Sequence, residues 1–194
     1  MSNKKVPEGF HKHTNGGGTV QDTAHVEESV YVGPDARVFG DARVSGNARV
    51  SDNAWVFGDA RVSGNAWVFG DARVSGDAWV FGDARVSDNA RVFGDARVSG
   101  NAWVFGDARV SGNAWVFGDA RVSGDAWVFS PLYIQGPRHA LTNCKYGYIQ
   151  IGCHCNTFAY WQKHYKAIGR AEGYTEEEIE QYGLFIQMFA KIGK

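Results

Sequence analysis

The residues able to do specific chemistry gather near the C-terminal end of the chain. They are Arg138, His139, Cys144, Lys145, Tyr146, Cys153, His154, Cys155 and His164. Arg138, His139 and Lys145 supply cationic donors and Tyr146 adds a hydroxyl on a flat ring, a set suited to holding a small anionic ligand. Cys144, Cys153, His154 and Cys155 are of the types that ligate zinc, but the spacing contains no Cys-x-x-Cys pair. The competing reading is that Cys153 and Cys155, on one face of a strand, are small buried hydrophobes. A nucleophile pair can be drawn from Cys153 or Cys155 with His139, yet nothing fixes a third member or an oxyanion site. His11 and His13 near the other end lack companion ligands and read as a solvated tail; His25 reads as an outward strand residue. No catalytic residue, metal or cofactor is assigned.

What must position these groups is a repeat. From Val32 to Val128 a valine stands at every sixth position. Each unit runs Val, Phe or Ser, Gly or Asp, Asp or Asn, Ala, Arg or Trp, as in Val56-Phe57-Gly58-Asp59-Ala60-Arg61. Weaker copies reach upstream to Val20 and Val26 and downstream to Ile134. Alternation along a short strand turns Val inward and its Arg/Trp and Phe/Ser neighbours outward. Gly with Asp or Asn supplies a tight corner, because these residues tolerate positive φ. Val80 is therefore expected inside and Ser87 outside. So short a strand cannot stand alone, and the units must wind and stack about 4.8 Å apart.

The aliphatic residue every six with a small residue four later, Val56 with Ala60 and Val62 with Ala66, resembles the hexapeptide-repeat family. The resemblance covers residues 20–136 and implies a left-handed parallel β-helix with three hexads per coil. This chain departs from the family's usual pattern by placing Phe or Ser directly after the valine and Gly one place later. The alternation of Trp-Val-Phe with Arg-Val-Ser units also favours three hexads. With axial neighbours 18 residues apart, one face reads Arg49, Trp67, Arg85, Trp103, Arg121 and another Arg61, Trp79, Arg97, Trp115, each guanidinium against an indole. Two hexads per coil would stack arginine on arginine. Arg37 and Arg91, which precede Val-Phe, break the rule on the third face.

The fold expected is thus mainly β: residues 1–19 a flexible N-terminal segment, 20–136 the β-helix, and 137–194 a small C-terminal αβ cap ending in a helical hairpin. The character of the chain changes at Ser130-Pro131. Leu132–Gln135 and Tyr146–Ile151 read as strands. Phe158, Trp161, Tyr165 and Ile168 share one helix face. Gly173 is a stop, and Thr175 with Glu178 forms a capping box for a second helix. The second helix carries an apolar stripe of Ile179, Tyr182, Phe185 or Ile186, Phe189 and Ile192.

Composition narrows the function. A formal net charge of -1 over 194 residues argues against a duplex nucleic-acid binder. No apolar run approaches the roughly 18 to 20 residues of a membrane helix, and Met1–Gly18 has no apolar core, so neither a membrane span nor a signal peptide is expected. Three cysteines without an export signal point to reduced thiols in a cytoplasm, which is a host cytoplasm if the gene is viral. The family resemblance implies a homo-oligomer, a trimer above all, and offers a coenzyme A-dependent acyltransferase as one alternative. Against that alternative, no histidine lies between His25 and His139 and no loop interrupts the hexads. A structural spacer is the other alternative. The near-perfect hexads with a short helical tail also resemble uncharacterised bacterial and phage proteins. The reading adopted is a non-enzymatic binding module whose C-terminal region, through Arg138, His139, Lys145 and Tyr146, holds a small anionic, nucleotide-like ligand or a protein partner, in a phage setting one drawn from host signalling.

Overall fold

The computed structural model describes residues 6–124, 126–127 and 131–193. The chain is a parallel β-solenoid followed by a four-stranded antiparallel sheet and two helices. Val128 and Ser130, the end of the valine column and the start of the compositional change, lie outside the described residues. No helix among the described residues is long and apolar enough to cross a membrane.

Each hexad contributes a strand of two or three residues, such as Trp67–Val68 and Trp79–Val80. These strands stack into three parallel sheets, in which Trp67 faces both Arg49 and Arg85, an axial offset of 18 residues. Trp79 faces Arg61 and Arg97 in the same way on the second sheet. Every inward valine from Val32 to Val122 is at most 1% exposed, and the alanines from Ala36 to Ala120 are fully buried. Each such valine contributes about 1.5 to 3 kcal/mol. The corners need a left-handed backbone. Gly82 has φ +74, and a Cβ there would meet the Gly100 nitrogen at 3.1 Å. Where aspartate replaces the corner glycine, at Asp52 (φ 57) and Asp88 (φ 58), its carboxylate accepts a hydrogen bond from the next coil: from the Gly70 N–H at 3.0 Å and the Gly106 N–H at 3.0 Å. That bond offsets the conformational cost a side chain meets there.

The expected ladders are present. Arg49 lies between Tyr31 and Trp67, at 5.1 and 5.0 Å from the ring centroids. Arg61 and Arg97 flank Trp79 at 4.9 and 5.3 Å. On the third face Arg37 and Arg73 flank Trp55 at 5.6 and 4.9 Å, and then Arg73, Arg91 and Arg109 follow one another without an indole between them.

Two expectations about the coils and the N-terminal segment need correction. Ser87 points outward but is only 1% exposed, because the Trp103 indole folds over it and donates from Nε1 to Ser87 Oγ at 2.9 Å. Trp115 covers Ser99 in the same way, at 3.1 Å. A large amphipathic ring lying along the surface thus buries the small residue beside its own column. His13 is not a solvated residue either. It is 6% exposed, with Nε2 2.9 Å from the Val30 carbonyl oxygen. It follows the strand Phe10–Lys12, which pairs antiparallel with Thr19–Gln21, and His11 in that strand meets Asp22 at 2.8 Å. His25 is exposed on a strand as expected.

At the other end Arg109 faces Ala126 and Val110 faces Trp127, one residue short of the register below. The strand holding Ile134, Tyr133–Gln135, joins the antiparallel sheet rather than a parallel one. That sheet runs in chain order through Ala140–Lys145, Tyr148–Ile151 and His154–Thr157. Helix α1, Phe158–Ala171, and helix α2, Glu176–Ile192, follow it. Gly173 at φ +71 ends the first helix, and the Thr175–Glu178 capping box opens the second. Trp161, Ile179, Tyr182, Ile186 and Phe189 are buried, whereas Ile192, expected in the same stripe, is 60% exposed.

Val80→Asp places an uncompensated carboxylate between coils and is expected to lower unfolding stability by more than about 4 kcal/mol. Ser87→Ala removes the Trp103 bond and a long one to Asp88 Oδ2 at 3.5 Å, and is expected to cost about 1 kcal/mol. Chemical denaturation of the two variants measures both; equal losses would mean the inside and outside of the coil are misassigned.

Candidate binding site in the C-terminal cap

The cap places the sequence-predicted residues in two separate places. Arg138 and His139 precede the strand Ala140–Lys145, and Lys145 and Tyr146 follow its other end. Six strand steps set His139 and Lys145 about 20 Å apart. Lys145 Nζ lies 4.0 Å above the Tyr148 ring, and Tyr146 is exposed at the hairpin turn. These two do not share a site with Arg138 and His139.

Arg138 and His139 are held by α2. The Tyr182 hydroxyl accepts hydrogen bonds from the Arg138 N–H at 3.2 Å and the His139 N–H at 2.7 Å, and donates to the His139 carbonyl at 2.8 Å. Gly136 makes room for it, since a Cβ there would meet the Tyr182 hydroxyl oxygen at 2.7 Å. The Arg138 guanidinium donates twice to Glu178, through Nε and one terminal nitrogen, each at 2.8 Å. It also lies 4.6 Å over the Tyr174 ring. The Arg138 bond, and then the Thr175 backbone N–H, hold the Glu178 carboxyl down at about 2. Arg138 is therefore already paired, and its main local work is to tie the sheet to α2. Partial burial, then neighbouring Tyr182, pushes the Tyr174 hydroxyl up to about 12.

Between the sheet and the helices lies a cleft of about 60 Å³, walled by Trp161, Tyr165, Ile168, Tyr174 and Tyr182, with His139, Cys153, His154 and Glu172 around it. The volume is below the roughly 150 Å³ of a cavity that encloses a benzene ring, so a flat ring would enter by one edge only. Trp161 is fixed by its Nε1, which donates to the Ile149 carbonyl at 2.8 Å. His154 Nε2 stands 3.7 Å from Glu172 Oε1. Beside the cleft is an open depression lined by Asp119, Arg121, Gln135, Arg138, Thr142 and Gln150. His139, Gly152 and Cys153 line both. Gly152 is close-packed against the His139 ring: a Cβ there would come within 3.1 Å of it.

Arg121 is the residue the sequence hid best. It is one more repeat arginine by type, and only its place at the last ladder step, over Trp103 at 5.9 Å, puts it against the cap. The cysteines divide differently from expectation: Cys144 is buried, whereas Cys153 and Cys155 are exposed. They are therefore not a pair of buried hydrophobes. Among the described residues no group of three or more His, Cys, Asp or Glu is placed to hold a metal ion, so Cys144, Cys153, His154 and Cys155 do not assemble as a zinc set. His164 packs on Tyr160, ring centroids 4.5 Å apart, on α1.

Family comparison matches the YdcK Beta solenoid repeat, over residues 36–51, 42–58, 84–100, 90–106 and 96–112. The coils are similar to that repeat. The match supports a repeat β-helix family for the scaffold, and no matched stretch reaches the cap. No curated protein and no solved structure matches the chain.

Because the folded carboxyl of Glu178 lies below its ordinary 4.5, the contribution of the Arg138–Glu178 pair is complete above that value and is lost as pH falls from 4.5 toward about 2. Carboxyl NMR titration is expected to place the Glu178 midpoint near 2 in the native protein and to move it upward in Arg138→Ala. An unmoved midpoint would mean that Thr175 alone sets it.

Proposed function

We propose that this protein is a non-enzymatic binding module whose cap takes a small anionic ligand carrying one flat ring, of nucleotide-like chemistry. The observation that carries the reading is the shared rim. His139, Gly152 and Cys153 separate an aromatic-walled cleft from a depression that holds Arg121 and Arg138. A ring in the cleft would place its anionic group over the rim toward Arg121 and His139. Asp119 lies in the same depression and Arg138 is committed to Glu178, so Arg121 is the cation on which the anion depends.

A protein partner is a second reading, favoured by one feature. Leu184, Met188 and Ile192 stand one turn apart along α2 and are 66%, 38% and 60% exposed. The family resemblance adds a homo-oligomer, a trimer above all, and the three cysteines without an export signal add a cytoplasmic setting to the proposal.

The finer description of the coil also belongs here. We infer three hexads per coil wound left-handed. The 18-residue offset between facing strands supports three, and the hand follows from the hexapeptide-repeat resemblance. A crystal structure of the coils tests both; axial pairing of residues two hexads apart, or a right-handed path, would overturn them.

Native mass spectrometry of protein purified from cells reads the oligomer and any retained ligand together. For the site itself, a nucleoside monophosphate is expected to raise the melting temperature of the native protein. Arg121→Glu is expected to weaken binding about 10- to 100-fold, the loss of one charge-assisted hydrogen bond. Lys145→Ala is expected to leave it unchanged. Undiminished binding in Arg121→Glu, or loss in Lys145→Ala with the fold intact, would move the site elsewhere.

A further inference from the structure

The Sγ atoms of Cys144 and Cys155 lie 2.6 Å apart, and both thiols are free. A disulfide bond is about 2.05 Å long, so bond formation needs only a small displacement. The two residues are not on adjacent strands: Tyr148–Ile151 runs between Ala140–Lys145 and His154–Thr157. The meeting depends on a register shift between Thr142 and Lys145, where the strand is irregular. Such an irregularity bends the strand and re-aims a side chain, here bringing the Cys144 sulfur to that of Cys155.

The pair is asymmetric. Cys144 is 1% exposed and Cys155 is open to solvent. We propose that Cys144 and Cys155 form a peroxide-sensitive dithiol that closes reversibly into a disulfide, stapling the second strand of the cap sheet to the fourth. The exposed Cys155 thiolate attacks one oxygen of hydrogen peroxide; the O–O bond breaks, the departing hydroxide takes a proton to become water, and Cys155 becomes a sulfenic acid. The Cys144 sulfur then attacks the Cys155 sulfur. The S–S bond forms, the S–O bond breaks, and the hydroxyl leaves as water with the Cys144 proton. Two thiols have lost two electrons and two protons, and one peroxide has become two waters. Burial, and then the Cys155 contact, pushes the Cys144 thiol well above its ordinary range.

The staple acts on a strand that matters locally. His154–Thr157 carries His154 to the aromatic cleft, and its last residue, Thr157, caps α1 by accepting the Tyr160 N–H at 3.1 Å. The proposal does not depend on the ligand reading, and its test uses no ligand.

The full chain is treated with hydrogen peroxide, denatured, alkylated and weighed, and the linked peptides are mapped. In the native protein one thiol, Cys153, is expected to remain alkylatable. The protein should be two hydrogens lighter before alkylation, and dithiothreitol should restore all three thiols. Cys153→Ser should still form the link and leave no free thiol. Cys155→Ser, a change at an exposed position, should keep the native circular dichroism and form no intramolecular link. Oxidation should raise the melting temperature of the native protein by a few degrees and leave that of Cys155→Ser unmoved by any link. A bridge that contains Cys153, or stable sulfinic acid on Cys155 in place of a link, would overturn the proposal.

Discussion

The structure depends on a fixed axial register between coils. The Trp79 N–H donates to the Ala96 carbonyl and the Phe81 N–H to the Val98 carbonyl, each at 2.9 Å, and the same two bonds recur at strand after strand. A strand of two residues has no stability of its own, so these bonds and the buried valine column form together or not at all. Corner geometry serves the same register. The positive-φ glycines let one corner lie directly on the next, and the two aspartates that replace them reach a backbone N–H on the next coil. The ladders of arginine and tryptophan are a consequence of the register rather than its cause.

The scaffold was legible because its period never falters. A valine every sixth residue fixes which way each side chain points, and the Arg/Trp alternation distinguishes an 18-residue offset from a shorter one. What the period could not reveal is how a large side chain lies down. Ser87 and Ser99 follow the outward rule in direction and break it in exposure, because Trp103 and Trp115 fold across them.

The cap was legible in its helices and obscure in its site. The Thr175–Glu178 box and the apolar stripes are local patterns, readable within a few residues of one another. The contacts that build the site are not local. Arg138 meets Glu178 forty residues on, and Tyr182 anchors the chain at His139 from a similar distance. Nearness in sequence misled in the opposite direction: Lys145 and Tyr146 sit close to His139 along the chain, and an extended strand carries them to the far end of the sheet. Arg121 could not be told from its fellow repeat arginines by type, because only its position at the last coil differs. Cys144 was drawn into the thiol group by residue type alone, and the register irregularity that brings it to Cys155 leaves no mark in the sequence.

The alternation of tryptophan and arginine carries a parity rule for how such a chain can lengthen. The alternation repeats every second hexad, whereas facing residues are 18 apart, so a column that keeps the alternation switches type at each step, as Arg49, Trp67, Arg85 and Trp103 do. Inserting or removing a single coil keeps the valines in line but sets two arginines or two indoles face to face at the joint. Inserting or removing two coils restores the pattern throughout. Slippage during replication of so uniform a gene would produce both kinds of variant, and selection on the surface would favour lengths that differ by even numbers of coils. The run Arg73, Arg91, Arg109 on the third face records no such step: the phase continues unbroken from Trp79 to Trp103, and Arg91 alone stands in a Val-Phe unit where the alternation calls for tryptophan.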